Sequence, residues 1–160
     1  MIKVLFVCLG NICRSPTAHG VLERKLAVAG LSDRVEVDSA GTAAWHVGKQ
    51  PDLRSQQAAR KRDYDLSHLR ARQAVAEDFL EFDYVLAMDD ENLDNLKSIV
   101  PVGGKMKSQP ELFLASYSSL GLTQVPDPYY GGDAGFEAVL DMVEDACDQL
   151  IIDIQSKLKV

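Results

Sequence analysis

The chain has 160 residues, enough for one ordinary domain and too few for two domains with separate cores, so a single domain over residues 1–160 is expected. Hydrophobic residues make up 46% and charged residues 26%, a globular composition that excludes a disordered or fibrous chain. Lys plus Arg number 17 against 24 Asp plus Glu, a net charge of −7, which argues against nucleic acid or an anionic membrane as a bulk partner; any anion has to be caught locally.

The first element in chain order is Ile2-Lys3-Val4-Leu5-Phe6-Val7, a β-branched and aromatic run that stops at Gly10-Asn11 as a buried strand entering a turn does. Pro16 then stands where a first helical turn tolerates proline, with Ser15 placed to cap, and a helix is predicted over residues 16–29. Alternation over residues 34–38 predicts a second strand. Helices are predicted over 53–62 and 71–80. The third strand, Asp83-Tyr84-Val85-Leu86-Ala87-Met88, is apolar in the manner of a strand covered on both faces. A helix over 90–99, a short fourth strand near 112–114 and a long terminal helix over 135–158 complete the series. Strands alternating with helices predict a three-layer α/β domain with a parallel sheet and a ligand site at the carboxyl ends of its strands.

No run approaches the roughly 18 apolar residues that span a bilayer, and the apolar stretch 1–9 is too short for a secretion signal, so a cytoplasmic protein with no membrane partner is expected. The three cysteines, Cys8, Cys13 and Cys147, have neither the even count of a disulfide scaffold nor zinc spacing, and no metal is expected. Cys147 falls on the apolar stripe of the terminal helix and is assigned to the core.

Chemistry concentrates in Cys8-Leu9-Gly10-Asn11-Ile12-Cys13-Arg14-Ser15, where a thiol and a guanidinium bracket a strand-to-helix loop. Successive N–H groups of such a loop, the positive end of the following helix and the planar fork of Arg14 together suit a phosphate. The same field favours the thiolate of Cys8, a nucleophile, and Ser15 is able to donate to its sulfur. Gly10 and Asn11 are residue types that tolerate positive φ and bring backbone close to a ligand.

With these residues in place, the chain resembles the low-molecular-weight protein tyrosine phosphatases from end to end. Val7-Cys8-Leu9-Gly10-Asn11-Ile12-Cys13-Arg14-Ser15-Pro16 matches that family's signature loop, and Asp127-Pro128-Tyr129-Tyr130-Gly131 its general-acid segment. The resemblance implies a four-stranded parallel sheet flanked by helices. It also implies a protein-tyrosine phosphatase without a cofactor, in which Cys8 attacks phosphorus, Arg14 and the loop amides hold the oxygens, and Asp127 serves as general acid and then base. A phenolate leaving group needs that proton. By the same likeness Asn11, Ser39 and His68 form a network supporting the loop, and Asp89 orients the arginine. Leu9, Trp45, Tyr129 and Tyr130 wall a flat cleft suited to an aryl phosphate. His19 is read as a surface or packing residue.

Further implications concern partners and regulation. Relatives acting on phosphoarginine typically carry threonine at the position of Ile12, so this sequence sides with tyrosine-phosphorylated proteins as substrates and inorganic phosphate as product. Residues 131–147 look more like bacterial members, which makes a bacterial tyrosine kinase a candidate partner; a monomer or weak dimer is expected. Cys13 is the redox candidate, able in the family to capture an oxidised Cys8, with simple packing as the equal alternative. The competing readings are a phosphoarginine phosphatase, an arsenate reductase, which needs further relay cysteines, and a phosphate-binding module without turnover.

Overall fold

The computed structural model describes residues 1–129 and 131–159. Four parallel strands form one sheet in the order β2-β1-β3-β4: β1 Ile2–Cys8, β2 Val35–Gly41, β3 Tyr84–Ala87 and β4 Pro110–Leu112. The helices are α1 Arg14–Val28, α2 Leu53–Arg60, α3 Asp78–Glu81, α4 Asp90–Lys97, α5 Phe113–Tyr117 and α6 Asp133–Leu158.

The period-2 alternation of the central strands divides the core. Val4, Phe6 and Cys8 of β1 and Tyr84 and Leu86 of β3 face a cluster with α1, α5 and α6, while Leu5, Val7, Val85 and Ala87 face the opposite cluster with Phe79 and Leu96. Both faces of the sheet are therefore covered, which is why β1 and β3 read as nearly continuous apolar runs. Phe6 meets Phe113 edge-on at 5.0 Å between centroids and ties β1 to α5. Cys147 is fully buried in the first of these clusters, as its place on the apolar stripe implied.

From β1 the chain crosses to β2 on one side and later returns to β3 on the other. The carboxyl end of β1 is thus the point where strand order reverses and a crevice opens, and Cys8 is the last residue of that strand.

Three expectations need correction. The helix predicted over 71–80 is only the single turn Asp78–Glu81; residues 71–74 run beside the end of β2, with Gln73 bridged to Gly41, so tertiary hydrogen bonds override good local helix propensity. The fourth strand lies at Pro110–Leu112, and Phe113 and Leu114 already belong to α5. Finally, Ser15 does not cap α1: the helix starts at Arg14, and Ser15 lies in its first turn with its hydroxyl turned to the loop. Pro16 is still tolerated there, because first-turn N–H groups have no intrahelical partner.

Candidate active site

The loop from Cys8 to Arg14 is gripped by backbone from three directions. Thr42 and Ala43, continuing from β2, donate to the carbonyls of Cys8 and Leu9 at 2.9 Å each, and the Asp52 N–H donates to Ile12 O at 2.8 Å. Gly41 passes so close beneath that a Cβ there would lie 2.7 Å from Leu9 O and 3.0 Å from Gly10 C. Asn11 turns the chain with φ of 58°, the left-handed region that asparagine tolerates better than most residues.

Inside this frame, Ser15 Oγ lies 3.0 Å from Cys8 Sγ and accepts from Asn11 Nδ2 at 2.7 Å. The carbonyl of Ala40 is a longer contact for the same hydroxyl, at 3.4 Å. With its oxygen occupied by Asn11, Ser15 has one proton to give, and the sulfur is its nearest acceptor. Both polar side chains are buried.

Arg14 is 3% exposed, an extreme degree of burial for a guanidinium. Its Nη1 donates to Asp89 Oδ2 at 2.6 Å and to the Val125 carbonyl at 3.0 Å, and its Nη2 stands 3.8 Å from Asp127 Oδ2. Burial works against its charge, but the facing Cys8, Asp89 and Asp127 outweigh that and hold it more firmly protonated than usual. Asp89 serves two masters, since its Oδ1 also accepts from Asn92 N and caps α4.

Asp127 stands at the rim with a side chain 38% exposed; its Oδ1 accepts from Tyr129 N at 3.0 Å. Cys8, Leu9, Gly10, Ile12, Cys13, Arg14, Trp45, Asp127 and Tyr129 line one pocket, together with His46, which packs over Gly10. The pocket combines two thiols, a guanidinium, a carboxylate, an imidazole and the rings of Trp45 and Tyr129. Among the described residues no group of three His, Cys, Asp or Glu side chains is placed to hold a metal ion. A thiol nucleophile with a built-in arginine and a carboxylate at the rim is equipped for phosphoryl transfer.

The chain matches the family model described as low molecular weight phosphotyrosine protein phosphatase over residues 3–160. It belongs to that family. Its low molecular weight protein-tyrosine-phosphatase relative YfkJ from Bacillus subtilis is 40% identical over 157 residues, covering 98% of both chains. A protein tyrosine phosphatase structure from Entamoeba histolytica superimposes with a TM-score of 0.91 at 39% identity, covering 99% of this chain and 100% of the other. A Drosophila arginine phosphatase structure, at 33% identity and 96% and 98% coverage, gives a TM-score of 0.87.

Against the pattern expected of this phosphatase family, one residue is misplaced by the sequence reading. Ser39 bonds to His19 Nδ1 at 3.0 Å, not to His68; His68 is an exposed side chain that reaches Glu23 at 3.4 Å. Glu23 lies between the two rings, 3.6 Å from His19 Nε2, and they hold its carboxylate below the ordinary range although burial opposes this. His19, expected in a surface or packing role, is 7% exposed and takes the place next to Ser39 instead. Tyr130 lies outside the described residues.

The sequence reading also missed Arg54 of α2, whose guanidinium lies 5.3 Å from the Tyr129 ring and 4.8 Å from Phe136 while pairing with Asp52. Cys13 is buried, and burial pushes its thiol up to about 12, with Asp52, Cys8 and Asp127 adding to the effect and Ser55 opposing it.

Proposed function

We propose that this phosphatase hydrolyses phosphotyrosine in proteins, with Cys8, Arg14 and Asp127 carrying the chemistry. The observation that carries this reading is the meeting, in one pocket, of Cys8 Sγ under the Ser15 hydroxyl, the buried Arg14 and the Asp127 carboxylate. In the first step Sγ attacks phosphorus in line, the S–P bond forms as the P–O bond to the ring breaks, and Asp127 gives its proton to the leaving phenol oxygen. In the second, Asp127, now a carboxylate, takes a proton from water, whose oxygen attacks phosphorus; the S–P bond breaks, releasing phosphate and the thiolate. Arg14 and the loop N–H groups stabilise the equatorial oxygens in both steps, and the N-terminus of α1, which has no side-chain cap, adds its dipole.

The choice of an aryl substrate rests on Trp45 and Tyr129, which border the mouth of the pocket and leave a deep thiol within reach only of a long, flat side chain. Ile12 lines the same pocket, and an apolar side chain there, where threonine would add a hydroxyl, supports phosphotyrosine over phosphoarginine. Asn11, Ser39 and Asp89 act as supports of the loop and the arginine. Three free cysteines and the want of any membrane-crossing helix among the described residues support a place in the cytoplasm, with tyrosine-phosphorylated proteins and their kinase as partners.

The test is turnover of phosphotyrosine, phosphoarginine and phosphoserine peptides by the wild type, Cys8→Ser and Asp127→Asn. Phosphotyrosine should be preferred, turnover should vanish in Cys8→Ser, and Asp127→Asn should slow it by about 10²–10⁴-fold. Preference for phosphoarginine, the substrate named for the Drosophila neighbour, would replace the substrate and keep the chemistry. Tight phosphate binding without turnover would make the chain a recognition module.

A further inference from the structure

Arg72, half-buried, makes more interactions than a loop residue outside the pocket requires. Its guanidinium forks onto both oxygens of Asp78 at 3.1 Å each and donates through Nε to Asp38 Oδ2 at 3.0 Å. The Asp78 side chain is only 8% exposed and also accepts from Val75 N at 2.9 Å. Arg72 and Asp38 are 32% and 40% exposed, and a partly exposed ion pair contributes little to stability, so what this one holds in place matters more than its strength.

What it holds is a strap over residues 71–74. The Arg72 carbonyl accepts from Gly41 N and Ala74 N donates to Gly41 O, both at 2.8 Å, which seats the strap against the end of β2 beneath the loop. The Arg72 N–H then donates to Asn11 Oδ1 at 3.1 Å. A carboxamide that accepts at Oδ1 from this amide has its Nδ2 committed to the other side, where it meets Ser15 Oγ. Ser15 is thereby made an acceptor from Asn11, and its own proton is left for Cys8 Sγ. The polarity of the whole series, from amide to carboxamide to hydroxyl to sulfur, is set at Arg72.

We propose that Arg72, anchored by Asp38 and Asp78, is a positioning residue for the nucleophile, orienting the Asn11 carboxamide and through it the Ser15 hydrogen bond to Cys8. Because that bond favours the thiolate, it should register in the pH dependence of Cys8 reactivity as well as in turnover. The inference rests on Cys8 being the nucleophile, but its test does not require turnover.

The experiment is the pH profile of Cys8 carboxymethylation by iodoacetate, located by peptide mapping, in the wild type, Arg72→Met, Asp78→Asn, Ser15→Ala and the Arg72→Met/Ser15→Ala double variant. Arg72→Met should move the midpoint upward by about one pH unit and lower kcat about tenfold, the size of one hydrogen bond to a charged group, with KM changed far less. Asp78→Asn should move the midpoint in the same direction by less, and it carries the test if Arg72→Met does not fold. In the Ser15→Ala background Arg72→Met should produce no further shift, because the bond it orients is already gone. An unchanged midpoint in a folded Arg72→Met or Asp78→Asn, or an undiminished shift in the Ser15→Ala background, would overturn the proposal. Should the wild type hydrolyse none of the phosphopeptides, the functional reading fails while the alkylation profiles still decide the role of Arg72.

Discussion

Arg14 illustrates how much one side chain is asked to do. Both of its short hydrogen bonds leave from Nη1, to Asp89 and Val125, so the guanidinium is fixed from behind and its Nη2 side turns toward Asp127 and the pocket. A lysine has one compact ammonium and cannot both anchor at Asp89 and present a planar fork to two phosphate oxygens. Arg14→Lys should therefore fold, because the ion pair with Asp89 remains possible, and yet lose turnover by about 10²–10³-fold, comparable to removal of a donor from an oxyanion site. Steady-state kinetics beside a thermal melt checks this; turnover within tenfold of wild type would show that the fork is not needed.

At the scale of elements, the site is built where β1 and β2 end side by side, and Gly41 is the point of closest approach. A built Cβ lies against three backbone atoms of the loop, within 2.7 to 3.1 Å of Leu9 O, Gly10 C and Asn11 N, none of which can swing aside as a side chain would. Gly41→Ala should push the loop off its amide geometry, weakening phosphate binding and costing about 1–3 kcal/mol of stability through overpacking. Phosphate titration and denaturant unfolding measure the two effects, and wild-type values for both would contradict the close fit.

The same junction explains what was legible beforehand. Strand β1, the loop and Arg14 could be read because apolar runs, turn residues and a thiol six positions from an arginine are local signals, whereas Asp127 was singled out only by the family resemblance. The strap at residues 71–74 could not, since Ala71, Arg72, Gln73 and Ala74 are good helix formers, and bonds to residues outside the segment, among them Gly41, Gly48, Lys49 and Asn11, keep them extended. His19 was likewise obscured, because nothing in one chain tells which of two histidines reaches Ser39 across the fold. The Phe113–Tyr117 helix was missed because a turn of five residues carries almost no periodicity.

For the molecule as a whole, the strand order places Cys8 at the crevice, and the covering helices lend their termini to the loop that follows it. Helix α2 is tied to the loop through Asp52, whose N–H holds Ile12 O while its carboxylate accepts from Arg54 N and pairs with the Arg54 guanidinium. Burial opposes the charge on Asp52, but the Arg54 side chain and the N–H groups of Arg54 and Ser55 outweigh it and hold the carboxyl below its ordinary range. A depressed folded value means that this contribution to stability is present above the unfolded value and is lost as pH falls through the folded one. Asp52→Asn should therefore lower stability at neutral pH and flatten the acid limb of the stability profile below about pH 4. Melting temperatures across that range test it; an acid limb as steep as wild type would contradict the role.

The most direct test of the chemistry is to mix the enzyme with a phosphotyrosine peptide, quench within a single turnover and map where phosphate is covalently bound. Phosphate on Cys8 in the wild type, with none on a Cys8→Ser variant, is the expected result. Phosphate released with no phosphocysteine at Cys8, or carried by another residue, would contradict the mechanism.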